Sequence, residues 1–254
     1  MPKFDLKTGK VTGYDHLQSG KNCQDSISVR QFTLSDGNYQ IVFLSDGCSL
    51  ADVKSENSHS EVGALLATEF LITQCETYLR AGIYLPLIPS FLYDDLLAYL
   101  QSILKLQGYS QVVDKINFVK HYLLFTVIGF IITPNHGLVL ANGDGLIIIN
   151  DEVFTRSFDD KPPYLGYHLI DQRYLASTPS AIPTSFDVLE FDSENLQRLA
   201  IGSDAWLSNL NLIPQFWGHK HPNQIQRNLN IWSFVEHKLL DDATLAVLEE
   251  IRRI

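Results

Sequence analysis

Four aspartates set at the junctions of apolar runs and turns constrain this chain more than any other feature. They are Asp25 in KNCQDS, Asp46 in LSDGC, Asp204 in IGSDAW and Asp241 in LLDDAT. Each predicts a strand end, so the fold has to bring strand ends together from widely separated stretches of sequence. Taken one at a time, each suits a turn-forming role, because an aspartate carboxylate hydrogen-bonds backbone two residues on. A fifth, Asp144, stands in ANGDG between the second and third.

The runs between them define the elements. Residues 39–44 (YQIVFL) are β-branched and aromatic and stop at Ser-Asp-Gly, which predicts a buried strand with Asp46 at its end. Ser58 with Glu61 three residues on predicts a capped helix, with Val62, Leu65, Leu66 and Phe70 on its core face, ending before Gly82. A second helix is expected after Ser90, with Phe91, Leu92, Leu96, Leu97, Leu100 and Leu104 at helical spacing up to Gly108. From Tyr122 the run LLFTVIGFIIT reads as a strand, and residues 137–149 as a hairpin turning through Asn142-Gly143-Asp144-Gly145. Residues 186–191, 199–202 and 244–248 complete a strand-rich second half. Two long helices inserted early among antiparallel strands point to an α+β fold of packed sheets flanked by helices. No repeat or linker divides residues 1–254 into more than one domain.

Charge narrows the function. The chain carries a formal charge of −10 and a pI near 5.2, which supplies no basic face for a run of phosphates and argues against nucleic acid as a partner. The same charge repels a phosphorylated substrate, so a phosphate site here needs strong local positive charge, and a bound cation is one candidate. Cys23, Cys48 and Cys75 lack C-x-x-C spacing, which argues against a disulfide framework or structural zinc and suits a reducing cytoplasm. The N-terminal residues MPKFDLKTGK have no apolar signal core, and the longest apolar stretch, 122–132, is too short for a membrane span. A cytoplasmic protein with no membrane partner is expected.

In their order and intervals, NCQDS, FLSDG, the helix from Ser58, ANGDG, AIGSDA and DDATLAVL resemble the type 2C metal-dependent protein phosphatase family over residues 13–248. His16, Gly20, Cys23, Gln24 and Asp25 match the first motif of a bacterial branch, His-x-x-x-Gly-x-x-Cys-Gln-Asp. The resemblance implies a four-layer α-β-β-α sandwich of two antiparallel sheets, with early helices covering one sheet. It also implies a phosphoserine/phosphothreonine protein phosphatase, acting as a monomer on a phosphorylated protein, that attacks with water activated by two Mg²⁺ or Mn²⁺ ions. Asp46 would bridge both ions, the Gly47 carbonyl would bind one, Asp204 and Asp241 the other, and Asp144 would help hold a third. Asp25 would orient the water, and Gln24 occupies a place where some members have a glutamate ligand. Two carboxylates about 4 Å apart repel by about 4 kcal/mol at an effective dielectric of 20, so several together call for cations. Oxygen ligands without histidine or thiolate favour Mg²⁺ or Mn²⁺.

Departures from the family pattern bear on substrate handling. Gly20 stands where many members have a phosphate-gripping arginine, leaving Lys21 and His16 as phosphate-binding candidates. Cys48 stands where eukaryotic members have a histidine, and is expected to be a small buried thiol. The leaving-group proton then falls to a metal-activated water or to His59. Ala205 replaces a usual glycine, and His219 and His221 around Lys220 read as solvated loop residues. The alternatives are a pseudophosphatase or sensor domain of the same fold that binds a partner protein, and an unrelated α+β domain whose aspartates only form turns.

Overall fold

The computed structural model describes residues 4–48, 58–158, 162–171, 173, 182–218 and 221–251. His219 and Lys220 lie outside them. Among the described residues, ten strands form two five-stranded sheets, every pair antiparallel. One sheet runs β1 (Phe4–Val11), β10 (Ala243–Glu250), β9 (Arg198–Gly202), β6 (Gly145–Ile149) and β7 (Glu152–Arg156). The other runs β2 (Ser26–Leu34), β3 (Gly37–Ser45), β4 (Val127–Ile132), β5 (His136–Asn142) and β8 (Asp187–Asp192).

The layers follow from the alternation of side chains along each strand. In β3, Ile41 and Phe43 point toward the helices α2 (Ser60–Arg80), α3 (Ile88–Leu106) and α4 (Val112–Tyr122), meeting Leu71, Leu92 and Leu96. Val42 and Leu44 point the other way, into a core between the sheets that they share with Ile147, Ile201 and Leu248. A third core seats Ile225, Leu229 and Trp232 of α5 (Gln224–Phe234) on Val11, Leu146 and Leu245 of the β1–β10 sheet. Three stacked cores make four layers, the expected α-β-β-α sandwich, and explain why strands such as YQIVFL are apolar on both faces.

Four local expectations change. The segment 142–145 is not a hairpin turn, because β5 and β6 belong to different sheets, so the chain crosses the sandwich there. The hairpin lies one strand later, where Ile149 faces Glu152 across Asn150-Asp151, with Asn150 at φ 56°. Glycine at 145 is demanded by the crossing, since a Cβ would sit 2.7 Å from the Gly202 carbonyl oxygen.

The second change concerns α2. Val62 and Leu65, expected in the core, are 42% and 53% exposed, and the buried face is Gly63, Ala64, Ala67, Leu71, Ile72 and Cys75. Close approach decides this: a Cβ on Gly63 would lie 2.0 Å from the Tyr122 carbonyl oxygen. In the first turns of α2 the small residues Gly63, Ala64 and Ala67 therefore face the protein, while Val62 and Leu65 face out. Ser58 does not cap the helix; its hydroxyl donates to the Cys48 carbonyl (3.3 Å), and His59 holds the cap position.

Third, α3 begins at Ile88 rather than after Ser90, with Pro89 in its first turn, a position that has no amide hydrogen bond to lose. Fourth, α4 precedes the run read as a strand from Tyr122, and β4 starts only at Val127.

Candidate functional site

One end of the sandwich gathers every junction singled out in the sequence. Ser26 at the start of β2 pairs with Ser45 at the end of β3, which puts Asp25 beside Asp46. Leu245 pairs with Gly202, which puts the turn before β10 beside the turn after β9. Leu146 also pairs with Gly202, so the crossing that carries Asp144 opens at the same end.

Backbone and hydroxyl bonds fix these turns. Thr126 fastens Asp46: the Asp46 N–H donates to Thr126 Oγ1 (3.1 Å) and the Thr126 N–H to the Asp46 carbonyl (2.8 Å). The Ser45 hydroxyl donates to the Thr126 carbonyl (2.6 Å). The Gly47 N–H reaches the Gln24 carbonyl (3.2 Å), tying the second motif to the first. Asp204 opens a short 3₁₀ turn whose buried Trp206 donates from Nε1 to the Thr244 carbonyl (2.8 Å). The Ser203 N–H donates to the same carbonyl (3.1 Å), locking the two turns together.

The carboxyl groups of Asp25, Asp46, Asp204 and Asp241 act on one another. Burial raises the Asp46 carboxyl well above the ordinary range, reinforced by Asp204, Asp25 and Asp241, and Asp46 shares a hydrogen bond with Asp204. Asp204 is raised by burial and then by Asp241. Asp25, 2% exposed, is pushed up to about 7 by burial and then by the Asp242 carboxylate. The hydroxyls of Ser203 and Thr244 lie near enough to ease that charge, yet neither Asp25 oxygen completes a hydrogen bond of good geometry. Asp241 is the most open member, its side chain 60% exposed.

Such a cluster fits cations. Desolvated carboxylates in mutual repulsion have to bind protons or metal, and an all-oxygen donor set suits hard ions such as Mg²⁺ or Mn²⁺. The buried oxygens of Asp25, left without a good partner, face the same demand.

The remaining predicted residues fall around this centre. His16, on the short helix α1 (Tyr14–Ser19), turns toward the acidic turn, its Nδ1 2.9 Å from Asp242 Oδ2 and its Nε2 3.8 Å from Asp241 Oδ1. Its pKa is raised by that Asp242 contact against the cost of burial. Lys21 is close enough to oppose His16 electrostatically. Asp144 sits in the crossing, whose Gly143 carbonyl accepts from Arg156 Nε (2.9 Å). His59, half exposed, stacks on Tyr122 with its Nδ1 3.5 Å from Glu61. Cys48 is half-buried, and its thiol meets the hydroxyl of the buried Tyr164, which also feels Asp46.

Three contributors escaped the sequence. Thr126 and Tyr164 carry no motif. Asp242 was quoted only as the second half of Asp-Asp, though it is 2% exposed and touches three other residues.

The sequence profile of the protein phosphatase 2C family matches residues 12–205, more than half of the chain. The match stops short of Asp241 and Asp242. Among solved structures, the chain is similar to the serine/threonine phosphatase Stp1 from Staphylococcus aureus, at 14% identity and TM-score 0.57, covering 100% of this chain and 96% of that one. It is similar to the S. agalactiae serine/threonine phosphatase at 16% identity and TM-score 0.56, covering 98% of this chain and 100% of that one. PppA, a key regulatory component of T6SS in Pseudomonas aeruginosa, aligns at 12% identity and TM-score 0.56, covering 98% of each chain. At such identities these structures speak for the fold alone. No curated protein matches the sequence.

Proposed function

The chain belongs to the protein phosphatase 2C family of metal-dependent serine/threonine phosphatases, and from that premise we propose that its aspartate cluster holds two divalent cations and hydrolyses a phosphorylated protein. The supporting observation is the convergence of Asp25, Asp46, Asp204 and Asp241 at one end of the sandwich, where burial and neighbouring carboxylates raise the pKa values of Asp25, Asp46 and Asp204. Asp46, the Gly47 carbonyl, Asp204 and Asp241 would hold these two ions, and Asp144 would help hold a third. Bound there, Mg²⁺ or Mn²⁺ supplies positive charge to the phosphoryl oxygens and lowers the pKa of a water.

The chain's own groups do the rest. Asp25, buried with both oxygens available, orients the attacking water as a hydrogen-bond acceptor. Lys21 supplies a side-chain cation toward the substrate phosphate in a chain of net charge −10. Three free cysteines suit a reducing, cytoplasmic setting, and the protein acts as a monomer. Among the described residues no helix is long and apolar enough to cross a membrane.

The test is Mn²⁺-dependent hydrolysis of p-nitrophenyl phosphate by the wild type and Asp46→Asn. Partners that merely orient a metal ligand are worth about ten- to a hundredfold, so replacing the ligand carboxylate itself should cost at least about a hundredfold. Equal rates in the two proteins would refute the assignment.

A further inference from the structure

Asp242 is the most heavily engaged carboxylate beside the cluster. It accepts from the Gly13 N–H (2.7 Å) and the Gln24 N–H (2.5 Å), and His16 Nδ1 stands 2.9 Å away at ion-pair distance, without completing a hydrogen bond of good geometry. Gly13 and Gln24 are the two ends of the excursion between β1 and β2 that carries α1, and Asp25 follows directly. A single carboxylate thus closes the neck of this excursion and, through His16, grips its middle. On the other side, the Asp242 N–H donates to Asp241 Oδ1 (2.8 Å), the oxygen that His16 Nε2 approaches at 3.8 Å.

We infer that Asp242 and His16 are positioning residues of the metal centre, locking the segment that delivers Asp25 against the turn that presents Asp241. This rests on the metal-centre assignment above. Each Asp242 oxygen accepts one backbone N–H, Oδ1 from Gly13 and Oδ2 from Gln24, while His16 Nδ1 adds an ion-pair approach; an asparagine would turn an N–H toward one of the two donors. His16, committed to two carboxylates, is then not the group that grips substrate phosphate.

The experiment pairs calorimetric titration of the metal-free protein with Mn²⁺ alone and steady-state hydrolysis of p-nitrophenyl phosphate at saturating Mn²⁺, for wild type, His16→Ala and His16→Asn. Asparagine can place an N–H near the position of Nδ1. His16→Ala should weaken Mn²⁺ binding about tenfold and leave KM at saturating metal within about twofold, while His16→Asn recovers most of the affinity. Unchanged Mn²⁺ affinity with a raised KM would make His16 a phosphate ligand and overturn the inference. Equal losses in the two variants would also overturn it, since ring bulk rather than an N–H contact would then matter. A wild type that takes up no Mn²⁺ would remove the metal-centre assignment itself, whereas metal binding that is indifferent to His16 removes only this inference.

Discussion

Asp25 is a carboxyl group that the fold buries at an electrostatic cost, and that cost has a pH signature. In an unfolded chain such a group titrates near 4; in the folded protein it is pushed up to about 7, first by burial and then by Asp242. Between those values the folded, metal-free protein keeps a proton that the unfolded chain gives up. Its stability therefore falls as pH rises from about 4 through about 7. Thermal unfolding of the metal-free chain across that range should show a declining midpoint, and Asp25→Asn should flatten the decline; a wild-type midpoint that climbs over the same interval would contradict it. At this scale the aspartates were legible, because each interrupts an apolar run with a turn. The partners were not. Thr126 looks like one more strand residue, and Asp242 looks like an echo of Asp241, because hydrogen bonding to Gly13 and Gln24 across more than two hundred positions leaves no local trace.

Helix α2 shows what periodicity can and cannot give. Its existence and its end before Gly82 could be read, yet its orientation could not, since a stripe of Val62, Leu65 and Phe70 competes with a stripe of Gly63, Ala64 and Ala67. Contact distance selected the second, because α2 lies close enough to the end of α4 that only glycine fits at 63. Gly63→Ala gains helix propensity of about 1 kcal/mol, yet the clash with the Tyr122 carbonyl should outweigh it and leave a net loss of about 1–3 kcal/mol. Leu65→Ala, on the exposed face, should stay within about 0.5 kcal/mol. Urea denaturation of both variants measures this, and a Gly63→Ala protein as stable as wild type would show that α2 can shift away from Tyr122. The crossing at 142–145 misled for a related reason: Asn-Gly-Asp-Gly is a strong hairpin signal, but which sheet receives the next strand is settled by pairing with β9.

Over the whole molecule, the centre draws on both sheets, with Asp25 and Asp46 bordering one and Asp204 and Asp241 bordering the other. Cation binding at the proposed centre would thereby be tied to global unfolding rather than to one loop. Mn²⁺ at a hundred times its Kd should stabilise the chain by about 2.7 kcal/mol. Scanning calorimetry should find a melting temperature that rises with Mn²⁺ concentration in the wild type and much less in Asp46→Asn; a metal-independent wild type would speak against the centre. The pairing of β1 with β10 extends this coupling to the order of assembly. A growing chain emerging from the ribosome carries β1 exposed along one edge, with its neighbour not yet made and Asp241 still absent. β10 follows every other described strand in the sequence, so its pairing with β1 is a slow, non-local step, and the proposed centre would stay without Asp241 until that step is reached.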